Sequence, residues 1–255
     1  MWLRLRQVAL VATELERVER TLTQAFGLKP CFRDPSVGEF GLHNVLFPIG
    51  NQFLEVVAPT RPGTAAGRYL ERRRGDGGYM VITQCDDHAP RRARVEALGV
   101  RIAHQFEIDN FINMQLHPRD TGGSFFEIDQ QLGPDSGEVD GPWAPAGPDW
   151  RECRNTDLIE GIRAVEIQSD DPLPLAEKWA EIAEIDLERQ DQGFVLPLEN
   201  AAIRFVRAND GRPEGLAGID VVAGKDGGLA VRLAELGESL PDGCYLLAGM
   251  RWRPV

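Results

Sequence analysis

Residues 7–27 read QVALVATELERVERTLTQAFG, and this stretch decides the fold. The run QVALVA is short and apolar, as expected of a buried strand. Apolar residues then recur at helical spacing, at Leu15, Val18, Leu22 and Phe26. Gly27 follows at the position where a glycine commonly ends a helix. The stretch therefore predicts a strand followed by an amphipathic helix over about residues 14–26.

The same strand–helix–glycine unit returns three more times along the chain. Its further strands are YMVITQ (79–84), IRAVEIQ (162–168) and AGIDVVA (217–223). The interval from strand to glycine is 20 residues from Gln7 to Gly27 and 19 residues from Met80 to Gly99. Because a repeat at near-constant spacing indicates duplication, it is a stronger guide to the fold than local propensity.

Further strands follow three of the predicted helices. Apolar stretches that fold back at a turn span residues 43–59, 111–129 and 193–208. The chain is thus predicted to be an α+β protein of tandem βαβββ modules, four in all with the last one abbreviated. Two such modules can form one curved sheet with helices outside and a cleft inside.

Residues 132–158 separate the two halves of this repeat. The segment is dense in Gly, Pro and Asp, so it cannot continue a helix or a strand. We therefore predict a first domain at residues 1–131, a linker at 132–158 and a second domain at 159–255. Trp143 and Trp150 lie in the linker, where their rings either pin it onto one half or cover a pocket.

Composition excludes several classes of function. The 28 Lys and Arg residues against 40 Asp and Glu residues give a formal net charge of −12, which repels nucleic acid and anionic lipid. No apolar run approaches the ~20 residues of a membrane-spanning helix, and the N-terminus is interpreted as a first strand and not as a signal peptide. The four cysteines are scattered without a CxxC pair, which fits a cytoplasmic protein with reduced thiols.

Three stretches carry a family resemblance. YLERRRGDGGYMVITQCDD (69–87) and LHPRDTGGSFFEID (116–129) resemble the corresponding stretches of methylmalonyl-CoA epimerases, and GLHNVLFPIGNQFLEVVAP (41–59) resembles glyoxalase-like proteins more broadly. Together with the repeat, they indicate the vicinal oxygen chelate superfamily, strongly over residues 4–131 and weakly over 160–255. The resemblance implies two glyoxalase-like domains, the second of them degenerate and structural.

The resemblance also implies where a metal site would lie. Four inward side chains build that site in the family, and the matching residues are Gln7, Glu55, Met80 and Glu127. The family usually has His at the first and third of these positions. A divalent metal is therefore implied only as a weak cofactor of Glu55, Glu127 and Gln7, and no stoichiometric zinc, nickel or cobalt is expected. Asn44 stands where the epimerases have an assisting carboxylate, which predicts that epimerase activity on methylmalonyl-CoA is absent.

Glu55 and Glu127 are the candidate catalytic residues. Each lies in an apolar strand, FLEVV and FFEID, at matching distances from Gln7 and Met80. The strand alternation and this spacing predict that both carboxylates face inward and converge on one cavity, as an acid–base pair or as weak metal ligands. The alternative is that each points outward to solvent. The predicted substrate-binding residues are Gln7, His43, Asn44, Tyr79, Met80 and His117.

Two functions remain open at this point. The first is a glyoxalase-like small-molecule enzyme, with isomerase or lyase chemistry next to a carbonyl. The second is a metal-free protein that sequesters a ligand, as bleomycin-resistance members of the superfamily do. The basic residues Arg68, Arg72, Arg73 and Arg74 either bind an anionic substrate or form a solvated helix face. His88 and His104 are expected at the surface, and the chain is expected to be a monomer or a homodimer.

Overall fold

The computed structural model describes residues 1–255. Seven strands form a first sheet: β1 (Leu3–Val11), β2 (Leu42–Ile49), β3 (Gln52–Pro59), β4 (Gly77–Cys85), β5 (Ile102–Ile108), β6 (Phe111–Leu116) and β7 (Phe125–Gln131). Their order in the sheet is β2-β3-β1-β4-β7-β6-β5. The helices of this half are α1 (Leu15–Phe26), α2 (Ala65–Arg73) and α3 (His88–Ala97).

The second half of the chain builds a second sheet. Its eight strands are β8 (Ile159–Ser169), β9 (Glu188–Gln190), β10 (Gly193–Pro197), β11 (Ala202–Arg207), β12 (Gly215–Ala223), β13 (Glu238–Ser239), β14 (Tyr245–Leu247) and β15 (Met250–Pro254). Their order is β13-β14-β15-β12-β8-β11-β10-β9, with helices α4 (Pro172–Ala183) and α5 (Leu229–Leu236). Two mixed sheets with helices confirm the predicted α+β fold of glyoxalase-like modules.

The opening stretch folds as its pattern predicts. The four stripe residues of α1 are buried, and Gly27 ends the helix with φ +67° while its N–H bonds the carbonyl of Thr23. The predicted turn between β2 and β3 contains Gly50, whose φ is +61°. A Cβ at Gly50 would lie 2.3 Å from the carbonyl oxygen of Glu160, so the close backbone approach requires glycine there. Helix α2 and strands β5, β9, β13, β14 and β15 were not assigned from the sequence. Because three strands follow α5, the predicted abbreviation of the last module is wrong.

The chain forms two compact units, and each takes segments from both halves of the sequence. Unit 1 comprises residues 1–7, 79–144 and 164–216, and unit 2 comprises residues 8–78, 145–163 and 217–255. The predicted domain boundaries follow the repeat along the chain, whereas these units group modules by packing. The boundaries at residues 131 and 159 therefore stay a prediction.

Each unit has its own aromatic core. In unit 1 the indole of Trp179 on α4 stacks on Phe126 of β7 at 4.2 Å and meets Phe205 of β11 edge-on at 5.6 Å. In unit 2 Phe26 of α1 packs on Trp252 of β15 at 4.6 Å. These contacts explain the compact units, because a helix from one half of the sequence packs on elements of the other half.

Candidate functional site

Two carboxyl groups, those of Glu127 and Asp129, lie next to each other on one inner strand of unit 1. Glu127 and Asp129 are two residues apart on β7, so their side chains share one face. The amide nitrogen of Asn113, on the neighbouring strand β6, donates to Glu127 Oε1 at 2.9 Å and to Asp129 Oδ1 at 3.0 Å. The backbone N–H of Met114 also donates to Asp129 Oδ1, at 3.2 Å. One amide thus bridges two carboxyl groups.

This pair is buried, and burial favours the protonated form of a carboxyl group. Glu127 is 5% exposed and Asp129 is 0% exposed. Burial raises the pKa of Glu127, and burial together with the neighbouring Glu127 charge raises the pKa of Asp129 well above its ordinary value. Glu127 Oε2 and Asp129 Oδ2 are buried without a hydrogen-bond partner, an arrangement in which two neighbouring carboxyls commonly share one proton. A carboxyl pair with raised pKa values can accept or release a proton.

Glu55 lies in unit 2 and is held by a buried amide. It lies on β3 and is 6% exposed, and its Oε1 accepts a 2.6 Å hydrogen bond from the amide nitrogen of Asn44 on β2. Asn44 is itself buried, and its Oδ1 accepts from the backbone N–H of Asp34 at 2.8 Å. Both Glu55 and Glu127 therefore point away from solvent. Their convergence on a common cavity stays a prediction.

Within unit 1, residues 133–142 of the linker lie against strand β1, and we name them the covering segment. Arg4 of β1 donates to the carbonyls of Ser136, Gly137 and Glu138 at 3.0–3.3 Å. Arg6 donates to the carbonyls of Val139 and Gly141, both at 2.8 Å. The linker indoles are pinned in their own units: Trp143 packs edge-on on Phe111 at 5.1 Å, and Trp150 on Phe53 at 5.0 Å.

The predicted substrate-binding residues on β1 and β4 lie in unit 1. Gln7 is buried, and its Oε1 accepts a 2.8 Å hydrogen bond from the indole of Trp143. Met80 is half-buried at the register position of Phe125, and the ring of Tyr79 meets that of Phe125 edge-on at 5.0 Å. Tyr79 is 3% exposed, so Met80 has the more accessible side chain of the two.

The histidines take different places from one another. His43 is half-buried on β2, beside the buried Asn44. His117 lies at the end of β6, where its Nδ1 accepts from the backbone N–H of Arg119 at 3.2 Å and braces the turn. The expected surface position of His88 is wrong. It begins α3, its backbone N–H bonds Gln130, and its side chain is 4% exposed because the first turn of α3 packs against β7.

The residues at the family's metal positions do not fit a divalent metal centre. The oxygens of Gln7, Glu55 and Glu127 described above accept hydrogen bonds from Trp143, Asn44 and Asn113. Met80 offers only a soft thioether, which hard divalent ions do not favour. No group of three or more His, Cys, Asp or Glu side chains in the structure is arranged to hold a metal ion.

The remaining reactive side chains do not form a second constellation in unit 2 or elsewhere. Burial raises the pKa of the Cys31 and Cys85 thiols to about 12, so neither is an activated nucleophile. In the basic group, Arg68 donates to the carbonyl of Gly63 and Arg72 lies over the ring of Tyr69 at 5.8 Å. These arginines act locally, within and next to α2.

Sequence reasoning missed several polar residues of the interior. Asn113 and Asp129 were not singled out, although both alternate with apolar residues in the predicted strands. In the second half, Arg204 of β11 pairs with the buried Glu166 of β8 at 2.8 Å. The signal that identifies such residues is a polar side chain on the same strand parity as a candidate carboxylate.

Comparisons with known proteins agree with this architecture. The family model of the glyoxalase-like domain matches residues 8–183. A hypothetical protein from Staphylococcus aureus superposes with a TM-score of 0.66 at 11% identity, over 99% of this chain and 100% of that chain. A variant of 4-hydroxymandelate synthase from Streptomyces coelicolor gives a TM-score of 0.63 at 15% identity, over 91% and 74%. No curated protein matches the chain in sequence.

Methylmalonyl-CoA epimerase from Streptomyces coelicolor is a further structural match. Its TM-score is 0.46 at 19% identity, over 51% of this chain and 98% of that chain. No helix in the structure is long and apolar enough to cross a membrane.

Proposed function

Because the chain belongs to the glyoxalase-like domain family, we propose that it is a small-molecule enzyme that moves a proton next to a carbonyl group. The chemistry is of the isomerase or lyase type. The observation that carries the proposal is the buried Glu127–Asp129 pair bridged by Asn113. A carboxyl group whose pKa is raised by burial can act as general base and general acid in turn near neutral pH.

The roles follow from the contacts of each side chain. Glu127 accepts the proton from the carbon next to the carbonyl, since its Oε2 lacks an N–H donor and Oε1 is held by Asn113. The pair as a whole holds one proton, because burial raises the pKa of both carboxyls. Glu55, held by Asn44, is the second candidate carboxylate. Met80, Tyr79, Gln7 and His117 of unit 1 are proposed to line the substrate site.

The reaction proposed here uses a more acidic carbon than a thioester provides. Metal ions are strong stabilisers of the enolate that forms when such a proton leaves, and the residues at the metal positions do not fit one. We therefore expect substrates in which a second carbonyl or carboxyl group already stabilises the carbanion. Activity on methylmalonyl-CoA is expected to be absent. The protein is proposed to act in the cytoplasm as a monomer or homodimer.

Deuterium exchange tests this proposal. The purified chain is incubated in D₂O with oxaloacetate, acetoacetate and methylmalonyl-CoA, and incorporation is followed by NMR. Exchange into one of the first two that falls at least ~100-fold in Glu127→Gln and is kept in Glu107→Gln supports the proposal. Glu107 is a matched control because it is an exposed glutamate of unit 1. Exchange that is unchanged in Glu127→Gln contradicts it.

One observation favours a second candidate function, the sequestering of an apolar ligand. The half-buried Met80 pairs in register with the aromatic residue Phe125, and such a surface suits a hydrophobic or aromatic molecule. The same exchange experiment separates the two functions. A sequestering protein binds an aromatic probe without incorporating deuterium into any carbonyl compound.

A further inference from the structure

The polar side chains of one sheet face in unit 1 form a continuous row. Strands β4 and β7 are parallel neighbours, and their register pairs Gln84 with Asp129. Paired residues of neighbouring strands project to the same face, so Gln84 lies beside the carboxyl pair. Arg4 donates to Gln84 Oε1 at 3.2 and 3.3 Å, and Arg6 is on the same face of β1 by strand alternation.

The covering segment lies on this same face. Gln84 donates from Nε2 to the carbonyl of Ser136 at 2.8 Å. Just beyond the end of the segment, the backbone N–H of Ala144 donates to Oε1 of Gln131 at 2.8 Å. Gln131 lies two residues after Asp129 on β7, so the two side chains share one face. The segment therefore covers the two arginines and Gln84 of this row.

We infer that Arg4, Arg6 and Gln84 form an anion-binding subsite for a small carboxylate-bearing molecule, and that carbonyls of the covering segment occupy this subsite in the absence of ligand. The inference rests on the proposed function, since it assigns a negative charge to the substrate of the same site. The guanidinium groups are almost fully buried, Arg4 being 4% exposed and Arg6 1% exposed. Buried guanidinium forks match the geometry of a carboxylate better than that of single carbonyls.

Charge on this face is balanced, so recognition of an anion depends on the two guanidinium forks. When Glu127 and Asp129 share one proton, they carry one negative charge against the two positive charges of Arg4 and Arg6. Glu138 and Glu199 lie close enough to Arg4 to interact with its charge. Glu138 belongs to the covering segment, so its charge leaves the subsite when the segment opens, whereas the charge of Glu199 stays.

The covering segment is built to detach from the sheet without loss of the core. Its own backbone bonds are short-range turns, such as Glu138 N–H to Asp135 C=O at 3.1 Å and Gly141 N–H to Glu138 C=O at 3.0 Å. Its outer residues face solvent, and Val139 is 55% exposed. Gly141 is its tightest point, because a Cβ there would lie 2.3 Å from the carbonyl oxygen of Asp135.

Two substitutions with opposite expected effects test the inference. Arg6→Gln removes a cation from the subsite, so malonate affinity is expected to fall at least ten-fold. Gly141→Ala strains the covering segment and leaves the arginines in place, so malonate affinity is expected to rise about three-fold or more. Arg92→Gln is the matched control, since Arg92 is an exposed arginine of unit 1 that pairs only across one helix turn with Glu96.

Binding is measured on the full chain by calorimetry with malonate, with inorganic phosphate and with uncharged malonamide. Hydrogen exchange of residues 136–141 is followed by mass spectrometry at saturating ligand. The inference predicts that malonate binds more tightly than phosphate, that malonamide does not bind, and that malonate speeds exchange in the covering segment. Equal malonate affinity in wild type and Arg6→Gln, unchanged exchange, or no binding even to Gly141→Ala overturns it. Malonate binding without deuterium exchange into oxaloacetate or acetoacetate supports the subsite and contradicts the proposed reaction.

Discussion

Glu55 and Glu127 occupy matching places in two copies of one repeat, yet their surroundings differ. Asn44 and Asn113 are the corresponding amides, and each donates to the carboxylate on the neighbouring strand. Two residues beyond Glu127 lies Asp129, whereas two residues beyond Glu55 lies the apolar Val57. Both copies of the repeat therefore contain an amide–carboxylate pair. In one copy a further carboxyl, that of Asp129, makes a carboxyl pair that holds a proton.

The largest effect is expected when this difference is removed. Val57 is 3% exposed and pairs in register with Asn44, so Val57→Asp places a second carboxyl beside Glu55. An unpaired buried charge costs about 3–5 kcal/mol, so the free energy of unfolding at pH 8 should fall by this amount. At pH 4 the added carboxyl is protonated and the loss should shrink. Urea unfolding at both pH values measures it.

Val57→Asn is the control for this substitution. It loses the same apolar contacts and adds a polar group without a charge, so the difference between the two variants isolates the charge. If Val57→Asp is as stable as Val57→Asn at pH 8, the second carboxyl alone does not explain the contrast between the two sites.

Removal of the amides should produce a smaller, unequal pair of losses. Asn113→Ala deletes hydrogen bonds to two buried carboxyls, whereas Asn44→Ala deletes one to Glu55 and one from the partly exposed backbone N–H of Asp34, which water can replace. At about 1.5–3 kcal/mol for each hydrogen bond to a charged group, Asn113→Ala should destabilise the chain more than Asn44→Ala in urea unfolding. Equal losses in the two variants would show that the two sites are energetically alike.

The sequence predicted most helices and strands, but it did not predict which segment packs over them. The helical stripe of α1 and the turn at Gly50 depend on local patterns, so they could be predicted. Arg4 and Arg6 alternate with leucines in LRLRQV, which by itself indicates a solvent-facing edge. They are buried instead because a segment about 130 residues further along the chain lies over them. Local alternation carries no information on such a distant contact.

The candidate site was predicted in part for the same reason. Glu55 and Glu127 stand out because a carboxylate in an apolar strand is costly unless it is satisfied. Asn113 and Asp129 are less conspicuous, since an amide and a carboxyl at a strand end are also common at the surface. Their role depends on the register between β6 and β7, which only the folded chain fixes.

The next effect concerns the pH dependence of stability. The pKa of Asp129 is raised in the folded chain, so the stability it contributes is fully present below the ordinary carboxyl pKa of about 4 and is lost as pH rises. Asp129→Asn removes the coupled proton, and the decline in the free energy of unfolding between about pH 4 and pH 8 should become shallower. A decline of the same slope in wild type and variant would contradict a shared proton.

The smallest effect concerns the surface carboxyl of Asp120, whose contribution to stability changes with pH in the opposite direction to that of Asp129. Hydrogen bonds from Arg101 hold the pKa of Asp120 well below its ordinary range, so this stability is present above the ordinary carboxyl pKa and is lost as pH falls. Arg101→Gln should therefore make the loss of stability at acidic pH smaller. The change should be slight because the ion pair is exposed. Thermal unfolding between pH 3 and pH 6 in low salt measures the change. A change on the alkaline side would contradict the assignment.

Carboxyl NMR tests the central claim most directly. The full chain is labelled with ¹³C at the Asp and Glu side-chain carboxyls and titrated from pH 3 to pH 9, with Asp129→Asn and Glu127→Gln used for assignment. The account predicts that one proton of the Glu127–Asp129 pair is lost at a pH well above that of the exposed carboxyls. In Asp129→Asn the coupled titration should be replaced by a single step of Glu127, whose pKa is raised by burial. Complete ionisation of both carboxyls in the same range as the exposed ones would contradict it.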